Sequence, residues 1–346
     1  VNNIKIARIE TLDWLRGLMA LSIMFYHICG WEGFRLESDT ILGRLGIYGV
    51  SIFFILSGLS MAIVYNSYII NLNTAFKFII RRVFRIWPLL WLVCFYLFFQ
   101  SRLSGEGCSF LGLIFNITTL FGFIKPSAYM ATGAWSIGNE MVYYFLTPAI
   151  FYFYNYSKIS GNIFLLISFL LGFFFSFYLL NESINVGDQW ALYINPFNNF
   201  FLYVSGIAIY YNFKNIEYSS LLINSLLLIS IAAFCFLPFF GDQIVLVTGI
   251  GRILFVAICL IIVFCFYKMK INLPQFVAKP LELLGLSTYG VYILHPVIYF
   301  FVLNVLNVKK GLLVLVPLLT IFISFFLYNY FELKFISIGK RITSKK

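Results

Sequence analysis

Residues 244–267 read IVLVTGIGRILFVAICLIIVFCFY, and Arg252 is the single charge in that run of 24. At 1.5 Å per residue such a helix is about 36 Å long, more than the roughly 30 Å hydrocarbon core of a bilayer. The run therefore reads as a membrane span. The rest of the chain agrees with it. Of 346 residues, 62% are apolar types and 11% are charged. Soluble domains carry about 45–50% and about 25%. This composition excludes the soluble-enzyme and disordered classes, because too few polar groups exist to cover a water-facing surface. At about 30 residues per span plus loop, the length admits roughly ten to twelve helices.

Apolar windows of spanning length fall at about 12–30, 46–69, 83–100, 137–155, 162–181, 194–212, 221–240, 244–267, 285–306 and 311–331. A shorter apolar stretch, 108–123, is broken up by small polar residues and is compatible with a span, an interfacial segment or a re-entrant one. Lys and Arg placement favours ten spans with both termini cytoplasmic. In that arrangement the outer segments hold Arg35, Arg44, Arg102, Lys125, Lys309 and Lys310, and Arg16 and Arg252 lie within spans. Every other basic residue, from Lys5 and Arg8 to Lys345 and Lys346, falls inside. The net charge of +11 is thus a topological signal rather than a nucleic-acid one. The expectation is an all-α polytopic helix bundle, one membrane domain over residues 1–346 with no appended soluble domain. No signal-peptide cleavage site follows the first apolar stretch. The six cysteines show no metal-ligand spacing, so no metal is expected.

An ionisable side chain at mid-bilayer costs about 2.5–3.5 kcal/mol on insertion scales, which makes each one a functional candidate. Arg16 and His27 lie in the first span. Eleven residues turn a helix through three turns plus about 20°, so the two share one face, about 16 Å apart. A snorkelling arginine and a satisfied interfacial histidine explain them equally well. The chain has one other histidine, His295, followed by Pro296, which should kink the ninth span and free a carbonyl. Packing and function are both open to it. Glu140 opens the fourth span near the outer side, where a His27–Glu140 pair could form an oriented general base. A glutamate at a helix N-terminus is the plainer reading. Trp135 reads as an interfacial belt residue. Arg82 and Arg85 are three apart on one face, which suits a phosphate or diphosphate and equally suits a topogenic role. At Ser57 and Gly58, helix packing is the better reading.

Taken together these segments resemble the acyltransferase-3 family of integral membrane acyltransferases, over about residues 8 to 335. The stretch Arg8 to His27 looks like that family's opening, with its basic-x10-His signature. Gly49 to Gly58 resembles its GV-x-x-FF-x-x-SG segment, and Arg81 to Pro88 its RR-x-x-R-I-x-P segment. Trp135 to Glu140 resembles WS-x-x-x-E, and Ser287 to Pro296 resembles SY-x-x-YL-x-H-P. Glu332 matches a glutamate just past the last span. There are departures. Ser51 stands where the family often has Asp, and Asn198 and Asn199 stand where a charge is common.

The resemblance implies O-acyl transfer, most often of acetyl from cytoplasmic acetyl-CoA, to a hydroxyl of an extracytoplasmic carbohydrate such as lipopolysaccharide O-antigen. The setting it implies is the bacterial inner membrane. The partners are acyl-CoA, a lipid-linked or polymeric glycan and membrane lipids, with no nucleic acid. On that reading Arg16, Arg82 and Arg85 hold the CoA phosphates. His27 is general base or transient acyl carrier, Glu140 orients it, and His295 assists. A polysaccharide or lipid-linked sugar flippase is the rival. It would need no acyl-CoA, and it usually shows a two-halves repeat that this sequence lacks.

Overall fold

The computed structural model describes residues 9–105, 107–308 and 310–344. Lys5, Arg8, Lys309, Lys345 and Lys346, which entered the charge reading above, lie outside the described residues. The described chain is helical with no strand. Its helices are α1 (Glu10–Trp31), α2 (Ile41–Tyr65), α3 (Leu72–Leu103), α4 (Phe110–Ile117), α5 (Ala134–Tyr156), α6 (Lys158–Phe174), α7 (Pro196–Phe213), α8 (Ser220–Phe236), α9 (Gly249–Lys268), α10 (Gln275–Leu286), α11 (Thr288–Asn304), α12 (Leu312–Leu327) and α13 (Leu333–Ser344), with a few single turns between them. Each of the ten apolar windows falls on a long helix.

Five segments are both long and apolar enough to cross a membrane: α2, α3, α9, Lys158–Leu179 and Leu312–Ser344. The pair α10–α11, bent by 71°, makes a sixth if it counts as one broken span. The remaining long helices fall short for physical reasons. α1 carries Asp13, Arg16 and His27, α5 carries Ser136, Asn139 and Glu140, and α7 carries Asn198, Asn199 and Ser205. These polar residues point into the bundle and lower each helix's mean hydropathy. α8 has 17 residues. The stretch 108–123 forms α4, whose eight residues reach about 12 Å, too short to cross.

Local chemistry sets the helix starts. The Asn71 side chain accepts from the Thr74 amide at 2.9 Å while Thr74 Oγ1 accepts from the Asn71 amide at 3.1 Å, a reciprocal cap on α3. Thr40 Oγ1 accepts from the Gly43 amide at 3.0 Å at the start of α2. Pro196 stands in the first turn of α7, where its missing N–H has no cost. The sharp bend expected at Pro296 is not there. α11 runs through it, and the break lies one residue before Thr288, where α10 ends.

The centre of the bundle is the crossing of α2 and α7. A Cβ on Gly58 would overlap the Tyr203 carbonyl, and one on Gly206 would overlap the Ile55 carbonyl. With lipid as solvent, such close backbone approach is what holds helices together. α1 meets α10 the same way: a Cβ on Gly285 would strike the backbone of Asp13. Arg44, 2% exposed, staples α2 to the end of α8. It donates to the carbonyls of Ser38 (2.6 Å), Phe234 (2.8 Å) and Leu237 (2.5 Å). Trp135 is not a belt residue. It is 4% exposed and packs edge-on against Phe54 and Trp190.

Candidate functional site

Two groups of polar side chains lie along α1 and α11: on α1 His27 stands eleven residues beyond Arg16, and on α11 His295, at the middle of the helix, lies one turn beyond Tyr292. The first lines a cavity of about 460 Å³ where α1, α3 and α11 begin and α2 ends. Arg16, Arg82, Arg85 and Lys340 bring positive charge to it, and Asp13 and Glu140 bring negative charge. All three arginines singled out in the sequence therefore share one cavity. Arg16 Nη1 pairs with Asp13 Oδ1 at 2.7 Å, a contact that the i, i+3 spacing makes. Its Nη2 reaches Ser60 Oγ across the α1–α2 interface. Arg82 donates from Nη2 to Tyr65 Oη at 2.7 Å and lies 5.0 Å from that ring. Its buried Nε has no hydrogen-bond partner. Arg81, the first arginine of the same segment, turns away. It donates to Thr343 Oγ1 at 2.8 Å and covers the Tyr68 ring. Glu332, 2% exposed, leaves both carboxylate oxygens without a hydrogen bond and lies within the field of Arg85.

Glu140 belongs to this group. Its Oε1 accepts from Ser57 Oγ and from Tyr144 Oη. The His27–Glu140 pair expected from sequence is therefore not formed. The reason is the helix register: Glu140 lies about 9 Å inside α5 at 1.5 Å per residue, level with the middle of α2 rather than with its start. Ser57, read as a packing residue, carries a hydrogen bond to that carboxylate. Tyr144 was missed, although Glu140 and Tyr144 are four apart, the spacing that brings side chains together on a helix.

The second group contains both histidines. His27 Nδ1 and His295 Nε2 are 2.8 Å apart, and the rings stack with centroids at 5.1 Å. His295 is fully buried, and its Nδ1 lies 3.0 Å from the Val291 carbonyl. A carbonyl only accepts, so His295 Nδ1 carries a proton. In the neutral ring its Nε2 is then an acceptor. His27 must donate from Nδ1, which leaves His27 Nε2 with a free lone pair. Trp31 stacks on His27 at 5.5 Å, the i, i+4 partner on α1, and packs against Tyr299 and Phe300. Tyr299 donates to Glu32 at 2.7 Å. Trp31 was also missed by the sequence reading.

Arg252 stands apart from both groups. It is fully buried, donates to Asn199 Oδ1 at 2.8 Å and lies 5.3 Å from the Phe201 ring. The Asn198–Asn199 pair that departs from the family pattern thus solvates a buried cation. Among the described residues no cluster of three or more His, Cys, Asp or Glu side chains is arranged to hold a metal ion.

A family model described as an acyltransferase domain matches residues 9–331. No curated protein and no solved structure matches the chain.

Proposed function

The chain belongs to the acyltransferase-3 family, and from that premise we propose that it moves an acyl group from cytoplasmic acyl-CoA to a hydroxyl of an extracytoplasmic cell-envelope carbohydrate. Acetyl is the proposed acyl group and lipopolysaccharide O-antigen the proposed acceptor type. The proposed setting is the bacterial inner membrane, with ten spans and both termini cytoplasmic. The single observation that carries the reading is the disposition of the two polar groups. A cation-lined cavity takes in Arg16 of α1 and the first turn of α11, and a histidine pair with an unspent lone pair lies eleven residues further along α1 and at the middle of α11, one turn beyond the cavity residue Tyr292.

The cavity suits a CoA thioester in size and charge. Pockets for cofactor-sized ligands run to about 300–1,000 Å³. Arg85, on the cavity wall, is the group available to phosphate oxygens, and Arg82, whose Nε is buried and whose Nη2 is held by Tyr65, adds its charge to that wall. Arg16 is already paired with Asp13, so it contributes less net charge. Glu140, held by Ser57 and Tyr144, orients the arginine side of the cavity in this reading rather than His27.

His27 Nε2 accepts the proton of the attacking sugar hydroxyl. The hydroxyl oxygen forms the new ester bond to the thioester carbonyl carbon, the carbon–sulfur bond breaks, and the proton passes from His27 to the departing thiolate. His295 keeps Nδ1 of His27 protonated throughout and accepts a stronger bond while His27 is cationic. The test is expression of the protein, intact and as His27→Ala, in a host lacking the activity. O-acetyl esters on its surface polysaccharide are then measured by NMR. Esters that depend on the histidine support the proposal. Equal esters with both forms remove His27 from the mechanism, and no ester in either case, with no acyl-CoA binding, revives the flippase reading.

A further inference from the structure

A second cleft, about 560 Å³, lies between the C-terminal halves of α3 and α11 and the segment Met130–Thr132. It is at the opposite end of those two helices from the cation-lined cavity. Among the described residues none of its lining side chains is charged. Tyr96, Gln100, Thr132 and Asn304 present a phenol, two amides and a hydroxyl to it. No side-chain hydrogen bond within the described residues engages any of these four. Phe300 and Pro296 supply apolar surface beside them.

This lining selects a ligand class. An anionic ligand finds no cation among the described lining residues. An acyl chain would strand four polar groups without water, a cost at each one. A neutral sugar matches both parts, because its hydroxyls donate and accept as the amides do, and its C–H face packs on aromatic and apolar surface. The cleft also adjoins the histidine pair. Pro296 and Val297 follow His295 in the chain, and Phe300 lies 5.1 Å from Trp31, which itself stacks on His27.

We propose that this cleft binds the acceptor glycan through neutral sugar units, with Gln100 and Asn304 as specificity-determining residues. The inference rests on the acyl-transfer reading. It is tested with the full-length protein in a host that supplies surface polysaccharide, by NMR of O-acetyl esters. Binding of acetyl-CoA to the purified protein is measured alongside. The variants are Gln100→Leu combined with Asn304→Leu, and Asn304→Trp, which fills the cleft. Phe99→Leu, on the exposed side of α3, is the control. The expected result is a loss of ester of about tenfold or more in both cleft variants, from two neutral hydrogen bonds in the double variant and from occlusion of the cleft in Asn304→Trp, with acetyl-CoA affinity unchanged. Wild-type ester levels in the cleft variants, or a parallel loss of acetyl-CoA affinity, overturn this inference and leave acyl transfer standing. No ester from the wild-type protein, with acetyl-CoA unbound, overturns the acyl-transfer reading and the acceptor cleft with it.

Discussion

His295→Phe separates the role of the second histidine from that of the first. Phenylalanine keeps the ring volume and the stack on His27 (5.1 Å between centroids) but removes the acceptor for His27 Nδ1. A neutral hydrogen bond is worth about 0.5–1.5 kcal/mol and one to a charged group about 1.5–3 kcal/mol. Only the increase on protonation of His27 lowers the barrier. That increase, about 1–1.5 kcal/mol, is a factor of roughly 5–15 in kcat. Loss of the fixed tautomer adds to it, for a total of about 10–100-fold. His27→Ala removes the base itself and costs about 10²–10⁴-fold. His295→Gln, whose Oε1 can still accept from His27, loses less than His295→Phe. The assay is the initial rate of labelled acetyl transfer by protein in lipid nanodiscs, at saturating acetyl-CoA. An unchanged rate in His295→Phe, or a loss exceeding that of His27→Ala, refutes the assignment of roles.

Other expectations follow from the same geometry. Arg85→Gln removes a cation from the cation-lined cavity; acetyl-CoA KM rises about 10–100-fold, the worth of one charge-assisted hydrogen bond, while kcat moves little, as steady-state kinetics will show. Gly58→Ala places a methyl group against the Tyr203 carbonyl, where neither backbone can yield; the loss exceeds about 3 kcal/mol and monodisperse protein disappears in size-exclusion chromatography. Gly187→Ala, which meets open space, is without effect in the same assay. Arg44→Leu strands the carbonyls of Phe234 and Leu237 at the C-terminal end of α8, which the guanidinium caps; at about 1–3 kcal/mol each, Tm in detergent falls by several degrees.

Much of this arrangement was legible in the chain. The ten windows located the long helices because 3.6-residue geometry and apolar composition act locally. The spacing of Arg82 and Arg85 put both on the cavity wall, and the eleven-residue spacing of Arg16 and His27 put them at opposite ends of α1. What could not be read was partnership between helices. Glu140 was assigned to His27 because both stood near an outer boundary. Its actual partners, Ser57 and Tyr144, depend on how far α5 slides along α2. The union of the two histidines, 268 positions apart, depends on α11 packing against α1. No periodicity encodes that. Tyr144 and Trp31 were within reach, since each sits four residues from a residue already singled out.

The glycine crossing of α2 and α7 has a mechanical consequence. With no clearance for even one carbon at Gly58 and Gly206, the two helices cannot slide or roll past each other without separating. They behave as one strut. Ser57 on that strut holds Glu140, and Asn199 on it holds Arg252, so the acid of the cavity and the buried cation beyond it are fixed in a common frame. Substrate entry and product exit must then be accommodated elsewhere. The candidates are the interfaces built from longer, rotatable side chains, such as those where the arginines of α3 meet Tyr65, Tyr68 and Thr343.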